Sequence, residues 1–243
     1  MIYKTQKGRV SSGEAIGILL LDTSVPFIPG DVANATTYPF PVRFKKVDAF
    51  TVARAIGKDP TVFESLLTAA QELVQQGVRA ITGDCGFMGI HQKKLATELG
   101  IPVFLSSLLQ IPFIKSLIAV DAKVGIITAD SRSLDADLLA AVGVSDQSNL
   151  VIGGLEDQRH FYQFAIEETG SLDAEAVEDE VVGVARRMAS EDPRIRAILL
   201  ECSLLPPYGA AVQEAVDLPV FDYITMINFV FSALVKQRYT GFI

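Results

Sequence analysis

Short apolar runs alternate along the chain with stretches of helical period, and this pattern predicts an α/β fold. Residues 16–21 form a continuous apolar run, typical of a strand that is covered on both faces. Residues 61–76 space their apolar side chains at helical intervals, and Gly77 marks the end of that helix. Strands that alternate with helices predict parallel sheets, with ligands bound at the carboxyl ends of the strands. The further predicted strands are 78–82, 102–105, 123–128, 149–152, 195–200 and 220–221, and the further helices are 89–99, 131–141, 172–190, one from Tyr208 and one ending near Val235.

Between residues 22 and 46 the chain has no sustained period. This segment contains Pro26, Pro29, Pro39 and Pro41. A long irregular segment in a compact domain is usually a lid or a binding loop. We therefore expect it to take part in a site.

Two pairs of similar segments divide the chain into similar halves. Cys85 and Cys202 lie 117 residues apart, as do the Pro-Val-Phe segments that follow them, and Gly17 and Gly125 begin a second pair of similar segments 108 residues apart. Two such halves predict layered α/β lobes with parallel sheets, related by a pseudo-twofold axis, with an active-site cleft between them. We assign residues 1–119 plus 215–243 to the first lobe and residues 120–214 to the second.

Composition and charge argue against several classes of protein. The formal net charge of −8 disfavours nucleic-acid binding, which relies on clustered Lys and Arg. The longest apolar stretches are shorter than the roughly 18 residues of a membrane-spanning helix. The first 14 residues are polar and lack the apolar core of a secretory signal. We therefore predict no membrane partner and a cytoplasmic location, where the two cysteines are expected to be thiols.

Both cysteines follow a predicted strand and precede a predicted helix. A thiol near a helix N-terminus is expected to have a lowered pKa, and the adjacent loop amides suit a carboxylate or an oxyanion. A free cysteine is often only a small buried apolar residue. Because Cys85 and Cys202 are the only two cysteines and occupy repeat-related strand ends, we predict that both are catalytic.

On these residues the chain resembles the aspartate/glutamate racemase superfamily, which includes hydantoin racemases, arylmalonate decarboxylase and maleate isomerase. The resemblance rests on a first strand that ends in a polar loop, Asp22-Thr23-Ser24, and on a cysteine loop in each half. In the racemases of this superfamily two cysteines lie on opposite faces of the substrate carbon, and no cofactor takes part. The resemblance implies a cofactor-independent racemase or epimerase, an isomerase that exchanges a proton next to a carboxylate or amide.

The residues after each cysteine depart from the family pattern. The amino-acid racemases usually have Asn-Thr and then Thr-His, whereas this chain has Gly86-Phe87 and Ser203-Leu204. Specificity for acidic amino acids is therefore not implied. Phe87 and Leu204 either make the pocket apolar or pack inward, and both interpretations stay open. The predicted substrate-binding residues are Asp22, Thr23, Ser24, Gly86, Phe87, Thr128, Ser203 and Leu204.

Other polar residues carry weaker signals. Asp84 and Glu201 precede the cysteines, and neighbouring side chains in extended backbone point to opposite faces, so we expect them to support the loops. His91 is interpreted as a core or helix-surface histidine. Neither a metal-ligand spacing nor a phosphate or dinucleotide loop is present in the sequence, so no metal and no cofactor are expected.

Several alternatives stay open at this point. The same scaffold supports decarboxylases and cis-trans isomerases, with a small carboxylate or amide as substrate. A non-catalytic carboxylate-binding protein is another possibility, as is a redox sensor whose two cysteines form a disulfide, which requires Cα atoms within about 7 Å. The apolar C-terminal helix with Phe229, Phe231 and Leu234 favours either core packing or a subunit contact in a homo-oligomer.

Overall fold

The computed structural model describes residues 2–5 and 7–243, and two four-stranded parallel sheets organise this part of the chain. The first sheet has the order β2-β1-β3-β4 and contains β1 (Ile16–Leu20), β2 (Val42–Lys46), β3 (Ala80–Gly83) and β4 (Val103–Phe104). The second has the order β6-β5-β7-β8 and contains β5 (Lys123–Thr128), β6 (Leu150–Gly154), β7 (Ile195–Leu200) and β8 (Val220–Phe221). The same order in both halves confirms the predicted α/β fold with two similar lobes.

Helices connect the strands and cover the sheets. Those of the first half are α1 (Val52–Ile56), α2 (Phe63–Gln76), α3 (Gln92–Leu99) and α4 (Ile111–Leu117). Those that follow are α5 (Ala136–Ala141), α6 (Arg159–Ala165), α7 (Ala174–Glu191), α8 (Gly209–Val216) and α9 (Tyr223–Leu234).

The repeated glycines let a helix approach each sheet closely. A Cβ atom on Gly17 would lie 2.9 Å from Leu73 Cδ1 of α2, and one on Gly125 would lie 3.2 Å from Met188 Cε of α7. A Cβ on Gly125 would also lie 2.9 Å from Ile198 Cδ1 of β7, so neither position has room for a side chain without movement. The similarity of the segments that begin at Gly17 and Gly125 therefore reflects close packing on the central strand of each sheet.

The structure differs from the predicted elements at several places. β2, α1, α4 and α6 were not predicted, and for β2 the prolines near residues 39–41 obscured the alternating pattern of an edge strand. The predicted helix 131–141 begins only at Ala136, where the Asp135 carboxylate caps it by accepting from Leu138 N at 3.0 Å. The backbone before that cap forms a turn stabilised by Asp130, whose carboxylate accepts from Arg132 N at 2.9 Å.

The last part of the chain joins both halves. β8 pairs with β7 in the second sheet, whereas Tyr223, Met226 and Ile227 of α9 pack in the first half's core beside β1. The segment 215–243 therefore belongs to the second sheet through β8 and to the first half's core through α9. The division into residues 1–119 plus 215–243 and residues 120–214 stays a prediction.

One face of α9 packs inward and the other is exposed. The Phe231 ring stacks on Phe40, with ring centroids 3.5 Å apart, whereas Phe229 is 70% exposed. A homo-oligomer stays a prediction, as does the cytoplasmic location. Within residues 2–5 and 7–243, no helix has the length and apolar character needed to cross a membrane.

Candidate active site

A cavity lies where the carboxyl ends of the central strands from both sheets face each other. In each sheet the first strand of the half has neighbours on both sides, so its carboxyl end is the point where ligands bind in such folds. The cavity has a volume of about 50 Å³, room for only a few waters at roughly 10–15 Å³ each. Its polar or cysteine-loop lining is Thr23, Asp84, Cys85, Gly86, Phe87, Glu201, Cys202, Ser203 and Leu204, and its apolar walls include Val25, Phe27, Val52, Ile56, Ala129, Ala165 and Ile166.

The two predicted catalytic cysteines meet in this cavity. Cys85 has extended backbone at the end of β3 and precedes a 3₁₀ turn, Gly86–His91. Cys202 follows β7, and the next helical turn begins only at Pro206. Both are free thiols and both are partly exposed. The structure thus brings one thiol from each half to a common space.

The environment of the thiols differs from the expectation of a lowered pKa. Burial raises the pKa of both thiols, and the nearby Glu201 carboxyl raises it further. Backbone amides directed at the sulfurs, including that of Leu204 at Cys202, act in the opposite direction but do not outweigh burial. The helix effect is weak here because no α-helix begins at either cysteine. These directions favour the neutral thiol at both cysteines.

The carboxyls that precede the cysteines both line the cavity, but they are held differently. Asp84 accepts hydrogen bonds from Leu21 N with both oxygens, at 3.0 and 3.2 Å, and burial raises its pKa to about 8. Glu201 is completely buried and accepts from Thr128 Oγ1 at 2.9 Å through Oε2. Its other oxygen, Oε1, has no hydrogen-bond partner, and burial raises the pKa of Glu201 to about 7. The expectation that these residues only support the loops fits Asp84 better than Glu201.

Gly86 provides the space that Glu201 occupies. A Cβ atom at residue 86 would lie 1.7 Å from Glu201 Oε1 and 2.9 Å from the Glu201 carbonyl oxygen. The departure from the family pattern after the first cysteine is thus linked to a carboxyl group that precedes the second. This contact crosses between the two halves.

A third buried carboxyl lies near the cysteines. Asp31, in the irregular segment, is 2% exposed, and burial raises its pKa to about 7. Its charge also contributes to the raised pKa of Cys202. With Asp84 and Glu201 it places three buried carboxyl groups close to the thiols.

The predicted substrate-binding residues fall into two groups. Five of them line the cavity: Thr23, Gly86, Phe87, Ser203 and Leu204. Three do not. Asp22 pairs with Lys46 Nζ at 3.0 Å, and Ser24 N donates to Glu168 Oε1 at 2.9 Å. Thr128 is fully buried behind Glu201, where it donates the hydrogen bond already described.

Phe87 and Leu204 were expected either to make the pocket apolar or to pack inward, and their positions can now be compared with both interpretations. Phe87 is 2% exposed, belongs to the second half's hydrophobic core and also forms part of the cavity wall. Leu204 is partly exposed at the cavity. Packing inward and lining an apolar pocket are therefore compatible here. His91 packs against Phe50 and Phe63, and burial lowers its pKa, which agrees with its interpretation as a core histidine.

The sequence analysis missed two parts of the site. The walls contributed by α1 and by the end of α6 carry no motif, because ordinary apolar residues such as Ile56 and Ile166 form them. Glu168, which has a left-handed φ of 52°, accepts from Thr23 Oγ1 and Ser24 N and so ties the irregular segment to the second half. No group of three or more His, Cys, Asp and Glu in the described part of the chain could hold a metal ion.

A loop-to-loop contact beside the cavity joins the halves directly. Ser203 Oγ donates to the carbonyl oxygen of Asp84, and the Ser203 carbonyl accepts from Val32 N at 3.4 Å. The two cysteine loops are thus fixed relative to each other. The irregular segment is held against the second of them.

No protein-family model matches the chain. A dimethylsulfoniopropionate lyase from Durusdinium sp. clade D is 33% identical over 234 residues, which cover 93% of this chain and 77% of the relative. Dimethylsulfoniopropionate lyase 3 from Emiliania huxleyi (strain CCMP1516) is 34% identical over 242 residues, covering 96% of this chain and 63% of the relative. For lyase 5 of the same strain, at 33% identity, the chain spans 45% of the relative's length.

Solved structures with the same fold come from the superfamily that the sequence resembles. An allantoin racemase from Pseudomonas fluorescens has a TM-score of 0.60 at 15% identity, covering 91% of both chains. Unliganded arylmalonate decarboxylase has a TM-score of 0.58 at 17% identity, covering 91% of this chain and 92% of the other. These neighbours confirm the two-lobed α/β fold that the resemblance implied.

The same comparisons correct the predicted activity. The prediction of a racemase or epimerase, and with it the isomerase class, is wrong, because the relatives that match most of the chain are named as lyases. Those relatives are not named as decarboxylases, cis-trans isomerases, binding proteins or redox sensors either. The prediction failed because it carried the superfamily's best-known activity over with the fold, and one fold hosts many reactions.

Proposed function

The chain belongs to the dimethylsulfoniopropionate lyase family, and we propose that it cleaves dimethylsulfoniopropionate or a closely similar sulfonium carboxylate by elimination. The substrate is a propionate with a positively charged dimethylsulfonio group. A base removes a proton from the carbon next to the carboxylate, a carbon–carbon double bond forms, and the carbon–sulfur bond breaks. The electron pair of that bond leaves with sulfur, so the products are dimethyl sulfide, acrylate and one proton.

The observation that carries this proposal, beside family membership, is the charge of the cavity. Its described lining contains two carboxyl groups and neither Lys nor Arg. A dianionic substrate such as a malonate is unfavourable in such surroundings, whereas a sulfonium cation is attracted. The apolar walls suit the two methyl groups on sulfur.

A thiolate from one cysteine serves as the base. A neutral thiol ionises more easily when a cation binds beside it, because an opposite charge favours the charged form of a titrating group. Binding of the sulfonium group thus activates the base where the substrate is present. The second thiol stays protonated next to the first thiolate and donates to the developing negative charge on the substrate carboxylate.

Elimination uses the cysteine pair differently from racemisation. A racemase needs a base on one face of the carbon and an acid on the other. Dimethyl sulfide leaves as a neutral molecule and needs no proton from the protein. The pair therefore supports a lyase in which the two thiols have unequal tasks.

The test is product formation from dimethylsulfoniopropionate by the purified protein. We expect dimethyl sulfide in the headspace and acrylate in solution in equal amounts. The double variant Cys85→Ser/Cys202→Ser, matched in size at both positions, is the control and is expected to release neither above the uncatalysed rate. Absence of both products with the wild-type protein, or equal release by the double variant, would overturn the proposal.

A further inference from the structure

We propose that Glu201, seated in the space left by Gly86, is the specificity-determining residue that recognises the positive charge of the substrate. The inference rests on the proposed function, because it assigns to one residue the selection of an onium group over a neutral group of the same shape. It concerns binding rather than bond breaking. It can therefore be tested with ligands that do not react.

The first support is the unsatisfied oxygen of Glu201. The side chain is completely buried and lines the cavity, and Oε1 has no hydrogen-bond partner. A buried carboxylate with an unpaired oxygen is costly, so such a group is normally paired or neutralised. A ligand that brings a positive charge to the cavity would compensate it.

The second support is the contrast with the other carboxyls. Both oxygens of Asp84 already accept from Leu21 N. Asp31 accepts from Ala33 N at 2.7 Å and does not line the cavity. Of the three buried carboxyls near the thiols, Glu201 is the one whose free oxygen belongs to a cavity-lining residue.

The third support is that the chain keeps room for this side chain. A Cβ at residue 86 would collide with Glu201 Oε1. Gly86 does not have a positive φ, so its backbone conformation does not itself require glycine. The absence of a side chain at this position is explained by the carboxyl group that fills the space.

The chemistry of an onium group fits such a partner. A dimethylsulfonio group has no N–H or O–H, so it cannot be selected by ordinary hydrogen bonds. It can be selected by a negative charge combined with apolar contacts. Close charge pairs that exclude water contribute strongly enough to change affinity by tenfold or more.

The experiment compares two inert ligands of equal shape by calorimetry: 3-(trimethylammonio)propionate and 4,4-dimethylpentanoate. They share the carboxylate and differ in the charge at the branched end. We expect the wild-type protein to bind the cationic ligand at least about tenfold more tightly. Glu201→Gln should reduce this ratio to about one to two, whereas Glu175→Gln, which removes a charge from an exposed position on α7, should leave it unchanged.

Glu201→Asp is the second variant, should the glutamine variant fail to fold. It keeps the negative charge but shortens the side chain by one methylene, which moves the carboxylate away from Gly86. We expect a ratio of the two ligand affinities between those of the wild type and of Glu201→Gln. A wild-type protein with no preference or no binding, or a folded Glu201 variant with the wild-type ratio, would overturn the inference. Because neither ligand reacts, the two proposals can fail separately. If dimethyl sulfide is released but the preference for the cationic ligand is absent, the proposed function stands and the role of Glu201 is wrong. If the preference is present but no dimethyl sulfide is released, the role of Glu201 stands and the proposed function is wrong.

Discussion

The two cysteine loops are repeat-related, yet their carboxyl groups differ by one methylene and have different surroundings. In the first half, Asp84 is tied to the end of β1 through Leu21 N. In the second half, the longer Glu201 bonds to Thr128 and still reaches Gly86 of the other half. A nearly symmetric scaffold has thus acquired an asymmetric site. Pseudo-symmetry of the fold therefore does not imply equal tasks for the two halves.

The largest expected effect comes from changing the thiols one at a time. Cys85→Ser and Cys202→Ser should each lower kcat/KM for release of dimethyl sulfide by about 100- to 10,000-fold, the usual contribution of a positioned acid or base. The variant that lacks the base should also lose rapid alkylation by iodoacetamide when ligand is bound, because its remaining cysteine stays protonated. Wild-type rates in both variants would show that the pair is not catalytic.

Gly86→Ala should have the next largest effect, because it forces Glu201 out of its position. We expect kcat/KM to fall by about 5- to 150-fold, corresponding to the roughly 1–3 kcal/mol of an overpacked site. Gly183→Ala in α7 is the matched control, since a Cβ there meets nothing within 4 Å. Equal activity of the two alanine variants would contradict the link between Gly86 and Glu201.

The buried carboxyls should make stability depend on pH. Asp31, Asp84 and Glu201 have ordinary pKa values of 3.8, 3.8 and 4.5, which burial raises to about 7, about 8 and about 7. Between the ordinary and the raised pKa values, the folded protein binds more protons than the unfolded chain. The free energy of unfolding therefore falls as pH rises from about 4 to about 8. Thermal melts of the ligand-free protein should therefore show a falling Tm across this range. Glu201→Gln should flatten the slope of Tm against pH. An unchanged slope would show that other titrating groups cause the pH dependence.

The smallest expected effect concerns the contact that holds the irregular segment. Glu168→Gln weakens the acceptor for Thr23 Oγ1 and Ser24 N. The loss of about 1 kcal/mol typical of a partly exposed hydrogen bond corresponds to about a fivefold rise in KM. Glu167→Gln, at the exposed neighbouring position, should leave KM unchanged. A KM equal to wild type in both variants would mean that this tie does not order the site.

The sequence predicted the parts of this molecule that follow from local pattern. The repeat located Cys85 and Cys202 at strand ends, and the apolar runs located most strands of both sheets. The pairing of Gly86 with Glu201 could not be predicted, because it depends on how the two halves dock and on the reach of one side chain across that boundary. The raised pKa of the thiols was missed because burial in the folded protein outweighs the effect of the local backbone amides.

The substrate class was also beyond local pattern. The two-lobed fold that the resemblance implied is present, but no motif in the sequence indicated a lyase. Glu201 was interpreted as loop support because neighbouring side chains alternate in extended backbone. The backbone after β7 turns immediately, and alternation does not hold there.

The central claim is that removal of the proton next to the carboxylate is coupled to loss of the sulfonio group. The most direct measurement follows dimethylsulfoniopropionate and the wild-type protein in D₂O by NMR. We expect acrylate and dimethyl sulfide to accumulate in equal amounts as the substrate disappears. Deuterium entering the substrate carbon without acrylate formation, the behaviour of an isomerase, would contradict it.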